Sequence, residues 1–256
     1  YSNLAGTLPD LAEKFKVGDV VSVKGGSNDI SFKIASIEGN ILRAGSDIFT
    51  SETVGGVISV ERAIPKLDYI CESNNRLWGC SNADRTIYAS ALGDPTNIYT
   101  YSGVSTDSFA VAVGSEEDFT ACIGYGDAVL FFKEMKLHKI LGSYPAEYTM
   151  YSYDFEGVQK GCSKSLAIVN TTLFYKARSG VCAYDGSLPT EVSYALGNEA
   201  YSEAVGGAHG NKYYVSMKDV TGTYHLFVYD MAKGLWHKED DLHAAAFCAS
   251  KGELYC

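Results

Sequence analysis

Four times after residue 70 the chain runs through one order of hydrophobic and polar positions: a short apolar strand, a polar or glycine turn, an apolar-aromatic strand, a second turn and a third strand. The middle strand is clearest, at Arg76-Leu77-Trp78-Gly79, Val129-Leu130-Phe131-Phe132, Leu173-Phe174-Tyr175 and Lys212-Tyr213-Tyr214-Val215, and Glu253-Leu254-Tyr255 opens a fifth copy. From Leu77 to Leu130, Leu173, Tyr214 and Leu254 the steps are 53, 43, 41 and 40 residues. A period near forty with three or four strands per copy predicts β-propeller blades rather than a helical solenoid, since each copy must bury its apolar face against the next.

The pattern places strands at Tyr69 to Glu72, Arg76 to Cys80 and Thr86 to Ser90 in the first copy, followed by a turn at Gly93 to Asn97 and a tyrosine-rich strand. The second copy has Phe119 to Ile123, Ala128 to Lys133 and Leu137 to Leu141, and the third Ser165 to Val169, Thr172 to Lys176 and Val181 to Tyr184. Ala204 to Gly207, Lys212 to Met217 and Tyr224 to Tyr229 make the fourth. Four blades and an opening strand predict an incomplete ring, or an arc whose edges a partner covers.

Residues 13 to 64 differ in kind. Phe15-Lys16-Val17-Gly18-Asp19 reads as a turn feeding an alternating strand at Val20 to Val23, then come Ile30 to Ile37, a tight turn at Gly39-Asn40, Ile41 to Ala44, and Gly55-Gly56 leading into Val57 to Val60. Short strands joined by such turns predict a small SH3-like β-barrel. Pro65 cannot extend a ladder and marks the exit from it. The organisation expected is therefore 1–12 as a linker or the end of an upstream blade, 13–64 as the barrel, and 65–256 as the blades. A start at Tyr1 without Met and a stop at Cys256 within a strand read as part of a longer protein.

Composition supports the all-β reading. Tyrosine (19) and glycine (26) are abundant beside 46% hydrophobic residues and only five prolines, and β-branched and aromatic residues with glycine turns suit half-buried pleated surfaces. Only Leu11 to Phe15 and Asp230 to Lys233 have the pattern of a helical turn. The net charge of -10 leaves no basic footprint for gripping phosphates. The acidic runs Glu116-Glu117-Asp118 and Glu239-Asp240-Asp241 read as solvated connections between strands. Seven cysteines without a CxxC pair sit mostly in apolar strands, which fits a reducing compartment better than secretion. Cys71 with Cys80 across a hairpin is the pair to examine for a disulfide. The Asn170-Thr171-Thr172 sequon reads as chance in such a chain.

The chemistry-bearing residues form no established motif. GxSxG, HExxH, P-loop and GxGxxG patterns do not occur, and Gly206-Gly207-Ala208-His209-Gly210 reads as a turn between strands. Of five histidines, His138 and His225 fall in third strands as core or cross-strand residues, while His237 and His243 flank an acidic turn without metal-ligand spacing. Glu72, Asp84, Asp94, Asp107, Glu134, Asp154 and Glu156 are too many and too unpaired to nominate a glycosidase acid and base. No enzymatic activity and no cofactor are expected. Asp94, Pro95, Tyr99 and Tyr101 are the candidate interface residues, with burial of the tyrosines against a neighbouring blade as the competing reading. Trp78 reads as core, and Trp236 as packing on its own blade.

The residues Asn75-Arg76-Leu77-Trp78-Gly79-Cys80, Thr86-Ile87-Tyr88-Ala89-Ser90-Ala91-Leu92-Gly93-Asp94-Pro95-Thr96-Asn97 and Ser105-Thr106-Asp107-Ser108 resemble structural proteins of tailed bacteriophages and prophages. The likeness continues through Leu130 to Glu134, Leu137 to Ile140, Gly161 to Leu166 and Leu173 to Tyr175, and covers roughly residues 65 to 200. It implies a propeller-bearing tail protein, similar to the nozzle or tail-hub proteins of short-tailed phages, with the small β-domain inserted into the propeller. Such a protein works as a virion component assembled in the bacterial cytoplasm, a homo-oligomer contacting other tail or neck proteins around a passage through which DNA moves without specific binding. A carbohydrate-binding propeller for host recognition, using Trp78, Trp236 or surface tyrosines, is the alternative, with a glycan-active enzyme behind it.

Overall fold

The computed structural model describes residues 11–51 and 57–256. Residues 1–10 of the expected linker and the Gly55-Gly56 turn thus lie outside the described residues. Among the described residues the fold is all-β: apart from one helical turn, α1 (Leu11–Lys14), and two 3-10 turns, the regular elements are antiparallel strands.

The first sheet contains β1 (Val20–Lys24), β2 (Ile30–Glu38), β3 (Ile41–Ala44) and β4 (Ser59–Arg62) in the order β3-β2-β1-β4. Where a barrel is expected, the described residues form this open sheet. A register shift between Ile34 and Ser36 divides β2, so that Ile30 to Lys33 pair with β1 and Ile34 to Glu38 with β3; such a bulge bends the strand and raises its twist. Phe15, Val21, Phe32 and Ile34 make a small core against which Leu11 and Val60 pack.

Four sheets follow, each a meander with its strands hydrogen-bonded in chain order. They are β5 (Tyr69–Ser73) to β8 (Phe109–Ala112) through β6 (Arg76–Ser81) and β7 (Thr86–Ala89), and β9 (Ala121–Tyr125) to β12 (Thr149–Tyr153) through β10 (Ala128–Phe132) and β11 (Leu137–Leu141). Next are β13 (Ala167–Val169) to β16 (Thr190–Glu191) through β14 (Thr172–Lys176) and β15 (Val181–Tyr184), and β17 (Ser202–His209) to β20 (Leu235–Asp240) through β18 (Lys212–Lys218) and β19 (Tyr224–Asp230). A hairpin of β21 (Cys248–Ser250) and β22 (Glu253–Tyr255) follows. These propeller-like blades carry fourth strands that the sequence pattern lacks. In the first blade the tyrosine-rich stretch 98–101 is irregular, and the fourth strand lies further on at β8.

The first hairpin of each blade turns in the same way. Asn74, Gly126, Asn170, Gly210 and Lys251, each the first residue of its turn, all have φ between 51° and 56°, the left-handed region that Asn and Gly enter at least cost. This is the physical content of the polar or glycine turn in the repeat. Asp230 to Lys233, read as a helical turn in the sequence, are instead the last residue of β19 and the tight connection that leads to β20.

Packing between blades explains the unbroken apolar run of β10. All five residues are buried; Val129 and Phe131 enter a core shared with Trp78, Cys80 and Ile87 of the first blade, whereas Ala128, Leu130 and Phe132 enter one shared with Leu173, Tyr175 and Tyr213 of the next two. Alternate side chains point to opposite faces, and both faces of this sheet are covered, so the strand is apolar throughout.

First strands of two blades closely approach the backbone of the blade before them, at its first strand or at the 3-10 turn leading into it. A Cβ on Gly124 would lie 2.9 Å from the Glu72 carbonyl oxygen, and one on Gly206 would lie 2.4 Å from that of Ser165. Gly206 and Gly207 are therefore not a turn: they sit within β17, where Phe247 crowds the second glycine just as Ser165 crowds the first. Glycine within a strand marks such a backbone approach.

Two lysines at corresponding places tie down the chain between blades. Lys133, wholly buried after β10, donates from Nζ to the carbonyl oxygens of Ser115 (3.1 Å) and Glu117 and lies 4.5 Å from the Phe119 ring. Lys176, buried at the end of β14, donates to Oε1 of Gln159 (2.9 Å) and to the Ala177 carbonyl. Burial pushes both ammonium pKa values down from the usual lysine range.

Candidate functional site

The connection between β7 and β8, residues 90–108, is much longer than its counterparts at 142–148, 185–189 and 231–234, and it accounts for the long first step of the repeat. Loops of this length inside compact domains are uncommon and usually functional. This one is ordered by its own hydrogen bonds. Asp94 starts a tight turn by accepting from the Thr96 amide (3.1 Å) and hydroxyl (2.7 Å), and the Gly93 amide reaches across to the Asn75 carbonyl in the first hairpin. Ser108 Oγ donates to the Asn97 carbonyl, and the Leu92 amide to that of Thr106.

Two buried charged groups hold the base. The Arg76 guanidinium, at the start of β6, donates from Nη1 to the carbonyls of Ser90 (2.7 Å) and Asp107, and from Nη2 to that of Ser105 (2.7 Å). The Asp107 carboxylate accepts from the amides of Ser102, Gly103 (2.6 Å) and Val104 (3.2 Å). Charged groups bound this way form hydrogen bonds about twice as strong as neutral ones. The loop tip is thereby fixed while three apolar side chains stay in solvent: Leu92 (45% exposed), Tyr101 (54%) and Val104 (54%).

The four residues nominated from sequence all fall in this loop, but they divide by role. Tyr101 and Pro95 face outward. Tyr99 is half-buried and meets Tyr88 edge to face, with ring centroids 6.3 Å apart. Asp94 is engaged within the chain: Arg62, at the end of β4, donates from Nη1 to Asp94 Oδ2 (3.1 Å), from Nε to the buried Asp19 (3.1 Å) and from Nη2 to the Lys14 carbonyl (3.3 Å). One arginine so joins the first sheet to the loop. Sequence reading missed Arg76, Leu92, Val104 and the anchoring role of Asp107. An arginine opening an otherwise apolar strand was the available signal for the first.

A second feature lies between the third and fourth blades, where Phe174, Leu188, Val192, Tyr229 and Met231 line an open groove beside Asp185. Trp236 lies tilted against Tyr229 of its own blade, ring centroids 5.0 Å apart, and donates from Nε1 to the Val192 carbonyl (2.7 Å) of the preceding one. It packs on its own blade, as expected, and also bridges to the preceding one. Trp78 is core, as expected, at 2% exposure.

The remaining candidates have local structural partners. Asp84 accepts from the Tyr88 hydroxyl (2.5 Å), Glu134 from the Lys160 amide, Glu156 from Ser179, and Glu72 from the Asn75 amide, while Asp154 pairs with Lys136. No group of three or more metal-capable side chains occurs among the described residues. The expected Cys71–Cys80 pair is not made: Trp78 stands opposite Cys71 and Tyr69 opposite Cys80, and all seven cysteines are thiols. Of the acidic runs, Glu116 to Asp118 connects blades, but Glu239 and Asp240 belong to the outermost strand β20, where exposed charge discourages edge-to-edge pairing.

His138 and His225 differ in environment and so in titration. His138 is buried, with Nε2 3.2 Å from Ser115 Oγ and Nδ1 2.8 Å from Ser152 Oγ. Burial first, and then Lys133 and Lys136, hold its pKa down to about 4. His225 lies between Asp219 (2.9 Å) and Asp241 (2.7 Å), which raise its pKa. A raised histidine contributes stability that is intact below its unfolded pKa and fades only as pH rises through the folded value, so His225 adds no acid sensitivity. The unfolded chain, however, protonates His138 near 6.5 whereas the folded chain resists until about 4. Stability should fall by about 3 kcal/mol from this one group as pH drops across that window. Urea denaturation at stepped pH should show this acid limb in the unaltered chain and a flatter one in His138→Gln; equal slopes would remove His138 as its source.

No family model and no curated protein matches the chain. Among solved structures it is similar to the N-terminal domain of Nup159, with 16% identity and a TM-score of 0.43. That alignment covers 70% of this chain but 44% of the other, so the chain spans less than half the length of that protein. Likeness at this level carries no fold or function across. Among the described residues no helix is long and apolar enough to cross a membrane.

Proposed function

We propose that this chain is a structural subunit of a phage tail or head–tail neck, with its blades forming part of a β-propeller and its work being assembly around a passage for DNA. The observation that carries the reading is the loop 90–108: buried Arg76 and Asp107 fix its base, and Leu92, Tyr101 and Val104 stand in solvent on a preformed surface. A rigid element that presents apolar side chains without ordering cost suits a protein interface. The net charge of -10 supports the passage role, since a like-charged surface lets a polyanion slide where a basic groove would hold it. A carbohydrate-stacking role loses its two tryptophans, one buried and the other held against Val192.

Sedimentation velocity tests the assembly role. The unaltered chain should self-associate with rising concentration, and Leu92→Asp with Tyr101→Asp should weaken association by about 30-fold or more at an unchanged thermal midpoint. Equal association in both would remove the loop from the interface, and a chain that stays monomeric would remove the homo-oligomer. An electrophoretic shift at low salt checks the passage: free duplex DNA is expected, and a tight complex would overturn it.

A further inference from the structure

Three cysteines meet in the core between the first two blades. Cys71 is half-buried on β5, while Cys80 on β6 and Cys122 on β9 are buried. All three belong to or pack against the core cluster that joins these blades. Strand alternation explains the meeting. Cys122 and Gly124 share the face of β9 that looks toward the first blade, and at Gly124 that face abuts Glu72 and Ser73, the residues directly after Cys71. The Cys71 and Cys122 thiols are close enough to perturb each other's ionisation, and Cys80 likewise acts on Cys122.

We propose that Cys71 and Cys122 form a disulfide that staples the first blade to the second when the protein meets a low-molecular-weight disulfide. The Cys71 thiolate attacks one sulfur of oxidised glutathione and expels one glutathione thiolate, leaving a mixed disulfide on Cys71. The Cys122 thiolate then attacks Cys71 Sγ and expels the second. Two protein thiols are oxidised, one glutathione disulfide is reduced, and the two protons leave with the two glutathiones. Cys71 is the entry point because it alone of the three is partly open to solvent. The neighbouring Cys122 thiol, and then burial, raise the Cys71 pKa; Cys71 lowers that of Cys122, but Cys80 and burial raise it by more. The reaction is therefore slow at neutral pH and quickens in alkali, and under reducing conditions the three stay as thiols. The cross-link depends on nothing in the proposed assembly role.

The test uses the full chain with the exposed Cys248 and Cys256 replaced by alanine, incubated with oxidised glutathione at pH 8.5 and mapped by peptide mass spectrometry after alkylation. A 71–122 cross-linked peptide is expected, together with a thermal midpoint raised by roughly 5–10 °C and restored by reductant. With Cys122→Ala, Cys71 should retain one glutathione, and with Cys80→Ala the cross-link should still form. A 71–80 cross-linked peptide, or full alkylation of both Cys71 and Cys122 after oxidation, would overturn the assignment. An unchanged midpoint in the cross-linked protein would overturn the staple.

Discussion

Replacing Arg76 with alanine is expected to cost about 4 kcal/mol, since three backbone acceptors lose charge-assisted partners together. Those acceptors are the carbonyls of Ser90, Ser105 and Asp107, at both ends of loop 90–108, so the loss falls on the segment that carries the proposed interface. Limited proteolysis should then cut between residues 98 and 106 at protease levels that leave the unaltered chain intact. Arg76→Lys should recover part of the stability but not all of it, because an ammonium cannot span three acceptors as a planar guanidinium does. Chemical denaturation gives the size. A cost below 1 kcal/mol with an uncut loop would mean that Asp107 and the turn at Asp94 suffice without the arginine.

The second large effect is expected at Gly206. A methyl group there would stand 2.4 Å from the Ser165 carbonyl oxygen and 2.8 Å from the Tyr213 hydroxyl, which itself donates to that carbonyl. The contact is backbone, so relief requires β17 to move away from the third blade and break the Tyr213 bond. Gly206→Ala should therefore cost about 3 kcal/mol, at the upper end of the usual range for overpacking. Gly210→Ala is the useful comparison: nothing lies within 4 Å of its added Cβ, and the penalty is only that of alanine at a φ of 55°, about 1 kcal/mol. Equal costs at the two positions would place the effect in backbone conformation rather than in the approach of the blades.

The same two positions show what the sequence made legible. Alternation and turn residues were enough to find three strands per blade, because a period of two and a left-handed Asn or Gly are local properties. Gly206 and Gly207 were misread as a turn since their cause is not local: Ser165 and Phe247 come from elsewhere in the chain. Fourth strands were hard to read for a related reason. Lying at the outer edge with one side open, they carry mixed side chains, as in the exposed pattern of Thr149–Tyr153 and Leu235–Asp240. At the candidate site, composition and turn chemistry drew notice to Asp94, Pro95, Tyr99 and Tyr101. Which of them face outward was fixed by Arg62, Arg76 and Asp107, whose partners lie up to 48 residues away. In the sequence Asp107 is one carboxyl among many; the convergence of the Ser102, Gly103 and Val104 amides on it is visible only in the fold.

Hydroxyl-radical footprinting tests most directly whether loop 90–108 is the docking surface. In dilute solution Leu92, Tyr101 and Val104 should be oxidised readily. At concentrations where the chain assembles, these three should be protected several-fold, while Leu188 and Tyr194 on the third blade stay reactive. Protection confined to Leu188 and Tyr194, with Leu92 and Tyr101 unchanged, would contradict it.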